Sequence, residues 1–176
     1  MNIRFIIILL LLLCVVTSCR LPANVHYEKG VEYWQNGETD LALEEYDKAI
    51  EIDPDYYSAY SDKALILFSK EEFDLAFINL EKAIELAPVN WVWVVYDNRG
   101  QCYMQLRQYD KALIDFNQAI ENNQREPSLY IHRASCYDNI GEYDLEIADL
   151  EKAIELDPEL SETLSKQIER IKKYNT

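Results

Sequence analysis

Apolar side chains in this chain fall at offsets that repeat. Ala49, Ala83, Ala119 and Ala153 are each followed by Ile and then Glu, and each is preceded three residues earlier by a large apolar side chain: Tyr46, Leu80, Phe116 and Leu150. A small residue stands nineteen positions before each alanine (Gly30, Ala64, Gly100, Ala134), and an Asp stands nine before it (Asp40, Asp74, Asp110, Asp144). The alanines are 34, 36 and 34 residues apart. Self-similarity at such a period marks supersecondary units that cannot bury their apolar faces alone and must stack. The pattern predicts helix pairs near 24–36 and 40–52, 57–70 and 73–86, a helix ending near 106 and 109–122, then 128–139 and 143–156. Gly37 breaks the first pair, and Asp40 and its three counterparts are placed to cap the second helices, accepting bonds from otherwise unpaired N–H groups. Pro54, Pro88 and Pro158 close their units, since proline cannot continue a helix. The polar stretch 122–126 before Pro127 predicts a looser joint. A last helix near 161–173, with Ser161 as its cap, carries Leu164, Ile168 and Ile171 on one stripe. Such an apolar-inside, polar-outside end piece is what a stack requires.

The same residues carry a family resemblance. In order, the first unit offers His26, Gly30, Tyr33, Ala42, Tyr46, Ala49 and Pro54, the second Tyr60, Ala64, Leu67, Ala76, Leu80, Ala83 and Pro88. The third offers Tyr96, Gly100, Tyr103, Ala112, Phe116 and Ala119, with Gln124 in place of Pro. The fourth offers Tyr130, Ala134, Tyr137, Leu150, Ala153 and Pro158, with Glu146 in place of Ala. This resembles the tetratricopeptide repeat (TPR) family, in which about 34 residues fold as two antiparallel helices. The resemblance implies an all-α, right-handed α-solenoid of four hairpins (23–56, 57–90, 93–126, 127–160) with a C-terminal capping helix and tail at 161–176. It implies a scaffold that binds proteins and does no catalysis.

In that family the first helix of each pair lines a concave groove. Carried over residue by residue, the wall holds Tyr27, Val31 and Trp34; Ser58, Asp62, Leu65 and Phe68; Asn98, Gln101, Met104 and Gln105; then His132, Ser135, Asp138 and Asn139. One end is aromatic and apolar, the other rich in amides and hydroxyls. That mixture suits an extended peptide or a helix of a partner protein. The family's chaperone-tail clamp for a terminal carboxylate does not carry over, because Tyr27 and Val31 occupy its first two positions. One cation per unit, Lys29, Lys63, Arg99 and Arg133, either lays its stem on a neighbouring helix and reaches a carboxylate or forms a basic ladder for acidic peptides.

Two extra residues separate the second and third units, in the run Trp91-Val92-Trp93-Val94-Val95-Tyr96. Alone it reads as a strand; its neighbours make it a helix start. The Trp pair either packs on the preceding helix or exposes one indole as a partner anchor.

Composition narrows the partners. A formal net charge of −15 argues against nucleic acid, which needs a basic footprint. Catalysis is not expected: His26 and His132 are the only histidines and the four glycines are isolated, so neither a His-rich metal site nor a phosphate loop is present. A Cys102–His132 pair has no third group to orient it. No metal, cofactor or small-molecule substrate is expected. Cys102 and Cys136 hold equivalent places on successive first helices, where packed helices are about 8–10 Å apart. A disulfide needs Cα atoms within about 7 Å, so two buried, unpaired thiols are expected.

Residues 1–18 read as a signal peptide: Arg4, an apolar run from Phe5 to Val16, then Thr17 and Ser18. The run is too short to span a bilayer stably, which takes about 20 apolar residues. Its end, Val16-Thr17-Ser18-Cys19, resembles a bacterial lipobox and implies lipid attachment, palmitate included, at Cys19. Bulky Leu13 makes Cys14 a poorer candidate. Residues 19–23 would then be a short tether, and several acyl chains would hold the protein firmly to the membrane. Arg20, in place of the Asp that retains such proteins at the inner membrane, points to the periplasmic face of a cell outer membrane. The expected role is a lipoprotein adaptor at a bacterial envelope that binds protein partners. The alternative is a structural repeat protein that forms homo-oligomers.

Overall fold

The computed structural model describes residues 22–174. The signal segment with Cys14, Cys19 and Arg20 lies outside the described residues. Among the described residues nine α-helices follow in order: α1 (Ala23–Gln35), α2 (Thr39–Ile52), α3 (Tyr57–Ser69), α4 (Phe73–Leu86), α5 (Val92–Gln105), α6 (Tyr109–Asn122), α7 (Pro127–Ile140), α8 (Tyr143–Leu156) and, after a 3-10 turn at Pro158–Leu160, α9 (Ser161–Tyr174). None of the described residues is in a strand, and none of these helices is long and apolar enough to cross a membrane. Contacts divide the chain into two compact units, one running to Ala59 and one from Tyr60.

The first unit is the α1–α2 hairpin and the start of α3. Ala42, Tyr46 and Ala49 are fully buried. Gly30 is glycine for reasons of space: a Cβ there would stand 2.5 Å from the Tyr46 ring. Tyr27 tilts against Tyr46 and Tyr56, with ring centroids 5.8 and 5.1 Å away. Across the hairpin, Glu45 bridges His26 Nδ1 (2.6 Å) and Lys48 Nζ (2.7 Å). Burial alone would raise the Glu45 pKa, but the Lys48 and His26 hydrogen bonds outweigh it and hold the carboxyl below its usual range.

The second unit repeats this logic. Gly100 lies under Phe116, with a Cβ excluded at 2.7 Å, while Ala134 shares a buried cluster with Leu150, Ala153, Leu164, Ile168 and Ile171. Thus glycine pairs with an aromatic ring and alanine with leucine, and the packed volume across each hairpin is conserved. The predicted stripe of α9 is the buried one.

Each hairpin turns the same way. The N–H groups of Glu38, Glu72, Gln108 and Glu142 donate to the carbonyls of Tyr33, Leu67, Tyr103 and Tyr137 at 2.8–3.0 Å. The residue before each is left-handed: Gly37, Glu71, Arg107 and Gly141, with φ of 80°, 64°, 57° and 79°. These are Schellman turns, in which glycine is unstrained and a side chain costs about 1–2 kcal/mol.

Two predicted caps are corrected. The second helices begin at Thr39, Phe73, Tyr109 and Tyr143, so Asp40 and its counterparts stand inside the first turn; the N-caps are Glu38, Glu72, Gln108 and Glu142, without side-chain cap bonds. Aspartate in the first turn favours the helix through the macrodipole instead. Ser161 is likewise the first residue of α9, while Asp157 caps the preceding 3-10 turn through the Glu159 N–H. The joint without proline is turned like the first and the last: Asn123 Oδ1 accepts from the Arg125 N–H (3.2 Å), as Asp53 and Asp157 accept from Asp55 and Glu159. Of the Trp pair, Trp91 is 54% exposed, and half-buried Trp93 donates its indole N–H to the Asn90 carbonyl at 3.1 Å.

Candidate functional site

Five of the predicted groove residues converge. Leu65 and Phe68 from α3 face Asn98, Gln101 and Gln105 from α5 across a cleft of about 260 Å³, with Ser69 at its rim and Cys102 in its wall. The helical spacing explains this: Leu65 and Phe68 are three apart, and Asn98, Gln101 and Gln105 are three and four apart, so each set shares a face. Phe68 forms the apolar end. It is buried to 8% exposure and packs against Phe73 (5.0 Å) and Phe77 (6.3 Å).

The amides are held in place. Asn98 Nδ2 donates to Ser61 Oγ at 3.1 Å. Gln101 Nε2 donates to Asp97 Oδ2 at 2.8 Å, and Asp97 Oδ1 lies 2.8 Å from His132 Nδ1. The hydrogen bond to Asp97 raises the His132 pKa, against the opposing effect of burial. Asn98 and Gln101 both line the cleft, and each amide carries a carbonyl acceptor besides the donor it commits to the fold. Such acceptors match the N–H groups of an extended backbone, and the apolar end matches a side-chain anchor.

Asp97 and Ser61 were missed by the sequence reading, although both stand at a groove position of their repeats. The other predicted residues lie elsewhere. His132 reaches the network through Asp97. Ser135 and Asn139 bond back to the Ile131 and Ser135 carbonyls on their own helix, and Asn139 also accepts from Tyr109 Oη (3.0 Å). Asp62 is half-buried on α3, and Tyr27, Val31 and Trp34 are half-buried in the first unit.

Two of the four repeated cations are committed within the fold. Arg99 forms a two-pronged pair with buried Asp115 at 2.8 and 2.8 Å, and Arg133 does so with Asp149 at 2.8 and 2.7 Å. Arg133 also lies within 6 Å of the Tyr130 and Tyr137 rings. A continuous basic ladder for acidic peptides is therefore ruled out. Cys102 and Cys136 are free and buried. Desolvation pushes Cys102 up to about 12 and Cys136 to about 11, so neither supplies a thiolate nucleophile. Among the described residues no group of three or more His, Cys, Asp or Glu could hold a metal ion.

Family models described as tetratricopeptide repeat match residues 23–56, 57–90, 96–125 and 127–160. The chain belongs to the tetratricopeptide repeat family. Its fold class is that of an all-α TPR solenoid. Among curated relatives, human Tetratricopeptide repeat protein 13 is 31% identical over 57% of this chain, and the Hsp70-Hsp90 organising protein of Plasmodium falciparum is 30% identical over 62%. The chain spans only 12% and 20% of those two proteins' lengths. Among solved structures, the TPR protein YrrB superposes with a TM-score of 0.63 at 24% identity, over 82% of this chain and 73% of that one. That likeness is one of fold.

Proposed function

We propose that this TPR chain is a non-catalytic adaptor that takes an extended peptide or helix of a partner protein in the α3–α5 cleft, and that lipid on Cys19 tethers it to a bacterial envelope membrane, at the periplasmic face of the outer membrane. The observation that carries the binding reading is the convergence on one cleft of Leu65 and Phe68 with Asn98 and Gln101, whose amides are held by Ser61 and Asp97. Apolar anchoring and backbone hydrogen bonding then come from opposite walls. Two similar proteins lean the same way: YrrB is described as having an unusual peptide-binding site, and the Plasmodium relative is named as organising two other proteins. The tether rests on the lipobox-like sequence ending at Cys19.

Peptides selected from a random library against the full chain test the cleft. Leu65→Arg is expected to weaken them at least about tenfold, or about 1.4 kcal/mol, with helicity by circular dichroism unchanged. Peptides indifferent to both Leu65→Arg and Gln105→Ala would remove the cleft as the docking site. For the tether, Cys19→Ala is expected to abolish incorporation of labelled palmitate and release the protein from the membrane fraction; continued labelling would refute it.

Self-association is the second reading. Trp91 and Val89, 54% and 77% exposed in the α4–α5 connection, favour it as an apolar contact between copies. Sedimentation across micromolar concentrations separates the two.

A further inference from the structure

The described part of the chain buries five carboxylates: Glu45, Asp97, Asp115, Glu146 and Asp149. Four are met by a cation or an imidazole: Glu45 by Lys48 and His26, Asp97 by His132, Asp115 by Arg99 and Asp149 by Arg133. Glu146 is the exception. It stands where the other three repeats hold Ala42, Ala76 and Ala112, it is 1% exposed, and its only donor is the Gln167 amide, 3.0 Å from Oε1. Oε2 has no hydrogen-bond partner. A buried carboxylate left half-satisfied is costly, and this one ends at a cavity of about 620 Å³ between α7, α8 and α9.

The rest of the cavity lining is of mixed sign. Asp138 adds a second acid from α7; Lys166 and Arg170 add cations from α9. Lys166 is answered by Glu162 at 2.8 Å, while Arg170 meets no carboxylate among the described residues. A bare cation drawn to Glu146 and Asp138 would meet like charge at Arg170. A ligand carrying both signs satisfies both walls. Gln167, exposed and held by its single bond to Glu146, is the side chain that would swing aside.

We infer that the α7–α8–α9 cavity binds a zwitterion, its guanidinium or ammonium group seated on Glu146 and Asp138 and its carboxylate on Arg170: a free basic amino acid, or the C-terminal Arg or Lys of a polypeptide. The same environment, burial first and then Asp138, raises the Glu146 pKa, and an incoming cation opposes that rise. This site is separate from the α3–α5 cleft and does not depend on it.

Calorimetric titration of the full chain with L-arginine, agmatine and a short peptide ending in arginine tests the assignment. L-arginine or the peptide is expected to bind, and the tighter of the two identifies the source. Glu146→Gln, which preserves shape, is expected to weaken binding at least about tenfold. Glu146→Ala, which restores the residue type of the other repeats, is expected to weaken it similarly while folding normally. Agmatine lacks the carboxylate and is expected to bind more weakly, with Arg170→Ala closing the gap. No heat at millimolar arginine or peptide, or equal affinity in Glu146→Gln, would overturn the site; agmatine binding as tightly as arginine would overturn its zwitterionic character. Loss of this binding leaves the library-peptide result on Leu65→Arg untouched, so the two sites fail separately.

Discussion

Asp149 and Glu146 stand one turn apart on α8, both buried, and the fold treats them in opposite ways. Asp149 receives two charge-assisted bonds from Arg133, itself fixed by Asn117 Oδ1. Glu146 receives one neutral amide on one oxygen and nothing on the other. The same contrast separates α6, where Asp115 is clasped by Arg99, from the start of α8. A buried acid that arrives with its base is part of the hairpin. One that arrives without a base leaves an opening for something else.

Removing a base is expected to have the largest effect. Arg133→Ala should destabilise the chain by about 3–5 kcal/mol, because Asp149 is left charged and buried; Arg99→Ala should do the same through Asp115. Urea unfolding measures this. A cost of a few tenths of a kcal/mol would mean the clasps are surface pairs in energetic terms, and the contrast with Glu146 would dissolve.

Removing the orphan acid is expected to have a smaller effect of opposite sign. Glu146→Ala should stabilise the ligand-free chain at neutral pH by about 1–3 kcal/mol. Because burial raises the folded-state pKa above its ordinary 4.5, the wild type should lose stability relative to Glu146→Ala as pH rises from about 4.5 through the folded value. Below 4.5, where the carboxyl is protonated in both states, that pH-dependent difference vanishes. His132, also raised, contributes stability that is full below its ordinary 6.5 and is lost as pH rises through its folded value. Its window opens higher, so the two are separable by titrating both proteins. A pH-independent difference would remove Glu146 as a strained group.

How far these contrasts were readable in advance depends on the range of the interactions. The hairpins follow from apolar residues spaced within one helix or one turn, and their bounds fell within a residue or two. The capping aspartates were misplaced because the turn closes one residue early, through backbone bonds such as Glu38 to Tyr33 that any side chain permits. The apolar wall of the cleft, Leu65 and Phe68, was placed by the family resemblance, position by position. Asp97 stands at a groove position but was passed over, and its partner His132 lies thirty-five residues on, on another helix. The clasps were within reach, since Arg99–Asp115 and Arg133–Asp149 share one separation of sixteen residues. Glu146 was visible as a departure from the repeat, but only the geometry of α9 reveals that nothing complements it.

The two interior thiols have a practical bearing. With Cys102 held near 12 and the Cys136 sulfhydryl turned toward the Tyr109 carbonyl, almost none of either sulfur is ionised at neutral pH, and ionisation is the first step of oxidation. The folded repeats therefore shield both thiols from oxidation, and maleimide dyes added to the native protein are expected to leave both sulfurs unlabelled until the chain is unfolded.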